Sequence, residues 1–196
     1  MRGLLILHGW TNVRPAGHWQ RLLAAAARAR GDCVLYPQFP DPDLPVLADW
    51  LDLLAAELHQ LDEAGVTERV VVAHSLGCLT WLHACAQEIV PTSVDRVLLV
   101  APAAPALLDE IPDFRLDPAD PGVGSALRAA SRSALLVGSD ADPWTPAGLH
   151  ATFGAPLGIP SVVIPGGGHL ALSDGWGPWQ GVIDWVADPS ADLTVR

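Results

Sequence analysis

Short runs of aliphatic residues recur along the chain, and each is followed by a segment with a different hydrophobic spacing. The run Val70–Ala73 is β-branched and uninterrupted, which is typical of a strand buried on both faces of a parallel sheet. Similar short runs predict five further strands, at residues 4–7, 33–37, 96–101, 134–138 and 161–165.

The segments between these runs carry apolar residues at spacings of three and four, the period of an amphipathic helix. We predict that the first helix begins near Pro15, because proline suits a first helical turn, and that it ends at Gly31. Residues 103–132 form a proline-rich connection without clear periodicity, so no element is predicted there. The helical spacing returns in four other segments, at residues 45–65, 78–88, 147–153 and 179–186.

Strands and helices that alternate in this way predict an α/β fold, in which a mostly parallel sheet of about six strands has helices on both faces. Such a fold is a three-layer sandwich. The chain has 196 residues and shows no internal repeat and no linker between two cores. We therefore expect residues 1–196 to form a single domain.

The composition is that of a globular protein, because half of the residues are hydrophobic and only 17% are charged. The formal net charge is −11, which argues against nucleic acid or an anionic membrane as the main partner. We interpret the negative charge as a contribution to solubility. A small molecule is the expected partner, and the sequence does not indicate a protein partner.

The basic residues are all arginine, and this absence of lysine excludes several kinds of site. A Walker phosphate-binding loop, a Schiff-base lysine and a serine–lysine dyad each need an ammonium group. The three cysteines, Cys33, Cys78 and Cys85, form no C-x-x-C pair. A disulfide framework or a zinc site is therefore not expected.

The N-terminal sequence contains an apolar run of four residues, which is too short for the core of a signal peptide. No stretch of the chain approaches the length of a membrane-spanning helix. Cytoplasmic location is the resulting expectation.

Polar side chains follow several of the predicted strands. Ligands of parallel α/β sheets bind beyond the carboxyl ends of the strands, so residues at those ends are candidates for function. The candidates at these ends are His8, His74, Ser75, Asp140, Asp142 and His169.

Ser75 lies between a predicted strand and a predicted helix, where the chain must turn sharply. A serine on such an elbow is strained, and its hydroxyl stands clear of the backbone at the helix N-terminus. The residues two positions away must be small so that the strand and the helix can approach each other. Gly77 meets this demand, whereas Ala73 replaces the more usual glycine. The motif A-x-S-x-G makes Ser75 the candidate nucleophile.

A serine hydroxyl is a weak nucleophile until an imidazole takes its proton. His169 follows the last strand and three glycines, a context that lets a ring reach over the edge of the sheet. His8 and His74 are each attached to a strand with another function, so we assign them supporting roles; the alternative, a metal site of these three histidines, lacks an acidic or cysteine ligand at fitting spacing. The other four histidines are most simply surface or satisfied core residues: His18, His59, His83 and His150.

The catalytic base needs an acid that orients its ring and stabilises its charged form. Asp140 and Asp142 both follow the strand at residues 134–138, and we favour Asp142 because Pro143 makes its loop rigid. The order Ser75, Asp142, His169 is the chain order of α/β-hydrolases.

An oxyanion on the substrate would need two backbone N–H donors. The N–H of Leu76, directly after Ser75, is one candidate. The loop after the first strand offers the N–H of Trp10 as the other.

The sequence resembles the small serine hydrolases of the retinoblastoma-binding protein nine family, which includes the bacterial YdeN-type proteins. This resemblance implies an α/β-hydrolase fold, with Ser75, Asp142 and His169 as the triad. Two features depart from it: Ala73, and the connection at residues 103–132, where related enzymes carry a cap over the substrate pocket. The resemblance rests on the segments HGW (8–10), HWQ (18–20), AHSLGC (73–78), GSDADPW (138–144), GGGH (166–169) and GWGPW (175–179).

These observations predict an esterase-type hydrolase that cleaves small esters or amides through an acyl-enzyme on Ser75, with no cofactor and no metal. The alternative is a binding module that keeps the fold without turnover, since folds do not dictate function. Acyl transfer to an alcohol or a peroxide would use the same residues.

Three tryptophans lie on the predicted rim loops. Trp10, Trp144 and Trp176 either wall an apolar pocket or seal the top of the sheet. Trp50, Trp81 and Trp185 lie on predicted helices, where core packing is the better explanation.

Overall fold

A computed structural model describes all 196 residues of the chain. Its central sheet has six strands, and every neighbouring pair is parallel. The strands are β1 (Arg2–Leu7), β2 (Cys33–Leu35), β3 (Glu68–His74), β4 (Val94–Val100), β5 (Ser131–Ser139) and β6 (Ser161–Ile164). They lie in the order β2-β1-β3-β4-β5-β6, which confirms the predicted α/β architecture.

Five helices connect successive strands, and a sixth follows β6. They are α1 (Trp19–Ala29), α2 (Leu47–Glu63), α3 (Leu76–Ala86), α4 (Pro121–Ala130), α5 (Ala155–Leu157) and α6 (Gln180–Ala187). A π-helical turn, His150–Gly154, leads into α5, and short 3₁₀ turns lie at Pro105–Leu107, Pro112–Phe114 and Leu172–Asp174. None of these helices is long and apolar enough to span a membrane.

Alternate residues of the central strands belong to two separate hydrophobic cores. On β1, Leu5 and Leu7 pack into the core under α2, α3 and α4, whereas Leu4 and Ile6 pack into the core under α1 and α6. Successive side chains of a strand point to opposite faces of the sheet, so a strand that is apolar at every position fills both cores. This is the physical reason for the uninterrupted aliphatic runs.

The first helix begins later than the position of Pro15 predicts. Residues 15–18 form a turn in which the His18 N–H donates to the Pro15 carbonyl at 3.0 Å. His18 is the N-cap, and its Nδ1 accepts the N–H of Gln20 at 3.2 Å. The side-chain cap, and not the proline, therefore determines where α1 starts.

The connection at residues 103–132 contains a helix that the sequence did not predict. Helix α4 is capped by the Asp120 carboxylate, which accepts the N–H of Gly122 at 2.8 Å, and it packs against α3. Before α4, the connection buries a row of apolar side chains in the core beside α2 and α3: Leu108, Ile111, Phe114 and Leu116.

Candidate active site

The candidate site lies at the point where the strand order reverses. The chain runs from β1 outward to β2 and then returns to β3 on the other side of β1. The last residue of β1, Leu7, pairs with Ala73 near the end of β3. The loops after β1 and β3 therefore leave the sheet side by side, and this is where parallel α/β sheets bind ligands.

The chain turns from β3 into α3 at Ser75, whose backbone has φ 53° and ψ −121°. This region is sparsely populated by residues with a Cβ, so the conformation is strained. The Ser75 N–H donates to the Val100 carbonyl of β4 at 2.9 Å, which helps to hold the elbow. A Cβ on Gly77 would lie 2.6 Å from the His8 carbonyl oxygen, so glycine is needed for α3 to approach β1.

His169 lies in the loop after β6, and its side chain contacts Ser75. The Nε2 atom is 2.8 Å from the Ser75 hydroxyl oxygen. The imidazole is mostly buried, with 14% of its side chain exposed. An imidazole at this distance can accept the hydroxyl proton.

Asp142 contacts the other nitrogen of the same ring. Its Oδ1 and Oδ2 atoms lie 2.9 and 3.0 Å from His169 Nδ1. The Asp142 carboxylate also accepts the Trp144 N–H at 2.9 Å, and its side chain is buried. The arrangement places the proton of the neutral ring on Nδ1 and leaves Nε2 free to accept.

The alternative acid, Asp140, lies in the loop after β5, where it contacts the start of the glycine-rich loop and not His169. Its Oδ1 accepts the Gly166 N–H at 2.7 Å. The structure thus brings Asp142, and not Asp140, to the imidazole.

Several side chains from other elements hold the backbone around His169. Asp174 Oδ2 accepts the His169 N–H at 2.9 Å. The indole N–H groups of Trp176 and Trp19 donate to the carbonyls of Gly167 and Leu170 at 2.8 and 2.9 Å. Because the loop is fixed on both sides of His169, the ring needs little reorganisation to reach Ser75.

The side chain of His74 hydrogen-bonds to the loop that carries His169. Its Nε2 lies 3.0 Å from the His169 carbonyl oxygen, so Nε2 carries the proton and donates it. The Nδ1 atom is buried and has no hydrogen-bond partner in the protein. Burial lowers the pKa of His74 well below its usual value, and the neighbouring His169 lowers it further.

His8 fixes the turn after β1. Its Nδ1 lies 2.8 Å from the Gly9 carbonyl oxygen, and its Nε2 accepts the Phe39 N–H at 2.8 Å and the amide of Gln38 at 2.9 Å. Burial lowers the pKa of His8 to about 4. The neutral ring with its proton on Nδ1 satisfies all three contacts, so His8 is a structural member of the site.

The two candidate oxyanion donors flank Ser75. Leu76 is the first residue of α3, where a backbone N–H has no intrahelical acceptor. The Trp10 N–H donates to no group of the protein. Gly9 allows the turn that carries Trp10 to pack against Ser75, because a Cβ at position 9 would lie 2.8 Å from the Ser75 Cβ.

A cavity of about 430 Å³ opens above Ser75 and His169. Its walls are mostly apolar, and no Asp, Glu, Arg or Lys side chain lines it. Besides the site residues, the lining includes Trp10, His18, Leu108, Trp144 and Leu172.

The rim tryptophans fall into two classes. Trp10 and Trp144 line the cavity and contact each other edge to face, with ring centroids 6.3 Å apart. Trp176 is 1% exposed and packs against Trp179 in the core under α1 and α6. The pocket interpretation is therefore wrong for Trp176.

His18 is a cavity residue that the sequence did not single out. Its position beside a helix suggested a surface or core role, and it is indeed 3% exposed. Its membership of the cavity depends on how α1 packs against the His169 loop, which local sequence does not reveal. The only sequence feature that pointed to His18 was the segment HWQ (18–20), which belongs to the family resemblance.

A protein-family model described as serine hydrolase matches residues 4–188. Among curated proteins, no sequence matches the chain.

Solved structures share the fold. The ydeN gene product of B. subtilis is 22% identical, with a TM-score of 0.79 over 95% of this chain and 97% of that one. A YdeN-like protein of Pectobacterium atrosepticum is 23% identical, with a TM-score of 0.68 over 95% and 89%. Est1E of Butyrivibrio proteoclasticus is 19% identical, with a TM-score of 0.61 over 95% and 87%.

Proposed function

The chain belongs to the serine hydrolase family, and on that premise we propose that it is an esterase-type acyl hydrolase whose nucleophile is Ser75. One observation carries the proposal. A single imidazole, His169, lies 2.8 Å from the Ser75 hydroxyl oxygen through Nε2 and 2.9 Å from the Asp142 carboxylate through Nδ1.

The first half of the reaction forms an acyl-enzyme. The Ser75 oxygen attacks the carbonyl carbon of the substrate while its proton moves to His169 Nε2. The buried carboxylate of Asp142 stabilises the imidazolium that results. When the tetrahedral intermediate collapses, His169 gives the proton to the leaving oxygen or nitrogen, and the acyl group stays on Ser75.

The second half uses water in the place of Ser75. His169 takes a proton from the water, whose oxygen attacks the acyl carbon, and then returns the proton to the Ser75 oxygen as the acid leaves. Both tetrahedral intermediates carry a negative oxygen. The N–H groups of Trp10 and Leu76 are the proposed donors to it, and the loss of one such donor typically costs about 3 kcal/mol of transition-state stabilisation.

The substrate class follows from the cavity. A volume of about 430 Å³ suits a small ester or amide. Because no ionised carboxylate, guanidinium or ammonium group lines the walls, a charged acyl or leaving group would find no counter-ion there. We therefore propose small, uncharged acyl substrates.

Hydrolysis of p-nitrophenyl acetate tests the proposal. The parent protein should release p-nitrophenol with saturation kinetics, and Ser75→Ala should lose this activity. Ser173→Ala removes a second hydroxyl at the cavity rim and serves as the matched control. Equal rates from the parent and Ser75→Ala would contradict the assignment, and no turnover by the parent would favour a binding module.

A further inference from the structure

The lining of the cavity combines apolar side chains with two histidines besides His169. The ring of Trp144 lies 6.0 Å from the His169 ring, and the ring of His74 lies 5.2 Å from it. Trp10 and Leu108 add to the apolar lining. His18 also lines the cavity, and its ring lies 5.7 Å from the ring of His74.

His18 is held rigidly at the cavity wall. Its Nδ1 accepts the Gln20 N–H at the start of α1, and its ring contacts those of Trp19 and His74 at 5.4 and 5.7 Å. Only 3% of the residue is exposed. A side chain fixed by a cap and by two aromatic neighbours loses little entropy when it binds a ligand.

The cap also determines which nitrogen carries the proton. Burial lowers the pKa of His18 to about 4, so the ring is neutral near pH 7. Because Nδ1 accepts a hydrogen bond, the proton of the neutral ring lies on Nε2. The Nε2–H of His18 has no acceptor in the protein. The atom is accessible to solvent from the cavity, whereas Nδ1 of His74 is fully buried.

We propose that His18 is a specificity-determining residue whose Nε2–H donates to an uncharged acceptor oxygen of the substrate. This inference rests on the proposed esterase function and narrows its substrate class. The matching groups are an ether, a hydroxyl or a second carbonyl, placed away from the reacting ester. A carboxylate is disfavoured because no cation lines the cavity.

Two substitutions separate the donor from the helix cap. His18→Asn places an amide oxygen near the Nδ1 position, so it keeps the cap of α1 and removes the Nε2–H. His18→Gln places an amide N–H near the Nε2 position and weakens the cap. Thermal unfolding of both variants reports the structural effect separately from recognition.

The substrates are two series of p-nitrophenyl and alkyl esters in which an ether oxygen replaces one methylene at successive positions. One series carries the oxygen in the acyl chain and the other in the alcohol part. For each position, kcat/KM of the ether ester is divided by kcat/KM of its hydrocarbon counterpart. Intrinsic reactivity cancels when this ratio is compared between the parent and a variant.

When the ether oxygen stands at the position that reaches His18, the ratio of the two kcat/KM values should fall roughly 3- to 10-fold in His18→Asn. This is the effect expected from the loss of one uncharged hydrogen bond. His18→Gln should retain most of the ratio despite a lower melting temperature. Ratios that are the same in the parent and His18→Asn at every position of both series would overturn this inference alone. If the parent hydrolysed no ester of either series, the proposed function itself would fail.

Discussion

Gly9 packs directly against Ser75: a Cβ at position 9 would lie 2.8 Å from the Ser75 Cβ and 3.3 Å from its hydroxyl oxygen. The turn after β1 and the elbow after β3 are therefore in contact at their backbones. The position of the Trp10 N–H relative to the Ser75 oxygen depends on this contact. The φ of Gly9 is not in the left-handed region. Glycine is therefore required at this position by the short distance to Ser75 and not by the backbone conformation.

Gly9→Ala should push the turn away from the elbow and misalign the proposed oxyanion donor. A displacement of about 1 Å in a catalytic group lowers the rate by about 100-fold, so kcat/KM for p-nitrophenyl acetate should fall by that order. Gly17→Ala is the matched control at the same rim, because its Cβ would meet only Leu172 methyl groups at 3.7 Å or more. Similar activities for the two variants would argue against a donor in the turn.

The two aspartates after β5 allow a direct comparison. Asp142→Asn should lower kcat by about 10³- to 10⁴-fold, because an amide no longer holds the proton of His169 on Nδ1. Asp140→Asn keeps an oxygen that can accept the Gly166 N–H and should retain activity near the parental value. Steady-state kinetics on p-nitrophenyl acetate measure both, and a larger loss in Asp140→Asn would reverse the assignment of the acid.

His8 makes the stability of the fold depend on pH. The folded-state pKa is about 4 and the ordinary value is 6.5, so between these values the unfolded chain binds more protons than the folded one. The contribution of the neutral His8 ring to the free energy of unfolding is therefore complete above pH 6.5 and is lost as the pH falls toward 4. By pH 5.5 this group alone should have lost about 1 kcal/mol of unfolding free energy.

Urea unfolding at pH 7.5 and 5.5 measures this effect, and both values lie above the isoelectric point of about 4.8. In His8→Gln the amide oxygen can still accept the Phe39 N–H, but the side chain does not titrate. The variant should lose about 1 kcal/mol less than the parent between the two pH values. An identical loss in both proteins would mean that His8 does not titrate in this range.

The sheet could be predicted because its signal is local. A strand such as Val70–Ala73, buried on both faces, must be apolar at every position. The buried parts of β1 and β4 share this pattern. The elbow was also readable, since Gly77 and the strand–turn–helix context belong to the same short segment. The chain order of Ser75, Asp142 and His169 then indicated which side chains meet.

Features that depend on competing or distant contacts could not be predicted. Pro15 has the properties of a first helical turn, but the His18 side chain offers a better cap, and α1 starts there. Two glycines, Gly122 and Gly124, obscured the period of α4. Trp176, like Trp144, lies in a loop that follows a strand, yet it packs in the opposite core, where its indole N–H donates to the Gly167 carbonyl.

The central claim is that His169 activates the hydroxyl of Ser75, and labelling with a fluorophosphonate tests it most directly. Mass spectrometry of the digested protein should find one phosphonyl group on the peptide that carries Ser75, with none in Ser75→Ala and much slower labelling in His169→Ala. Labelling of Ser75 at the same rate in the parent and in His169→Ala, or labelling confined to another residue, would contradict it.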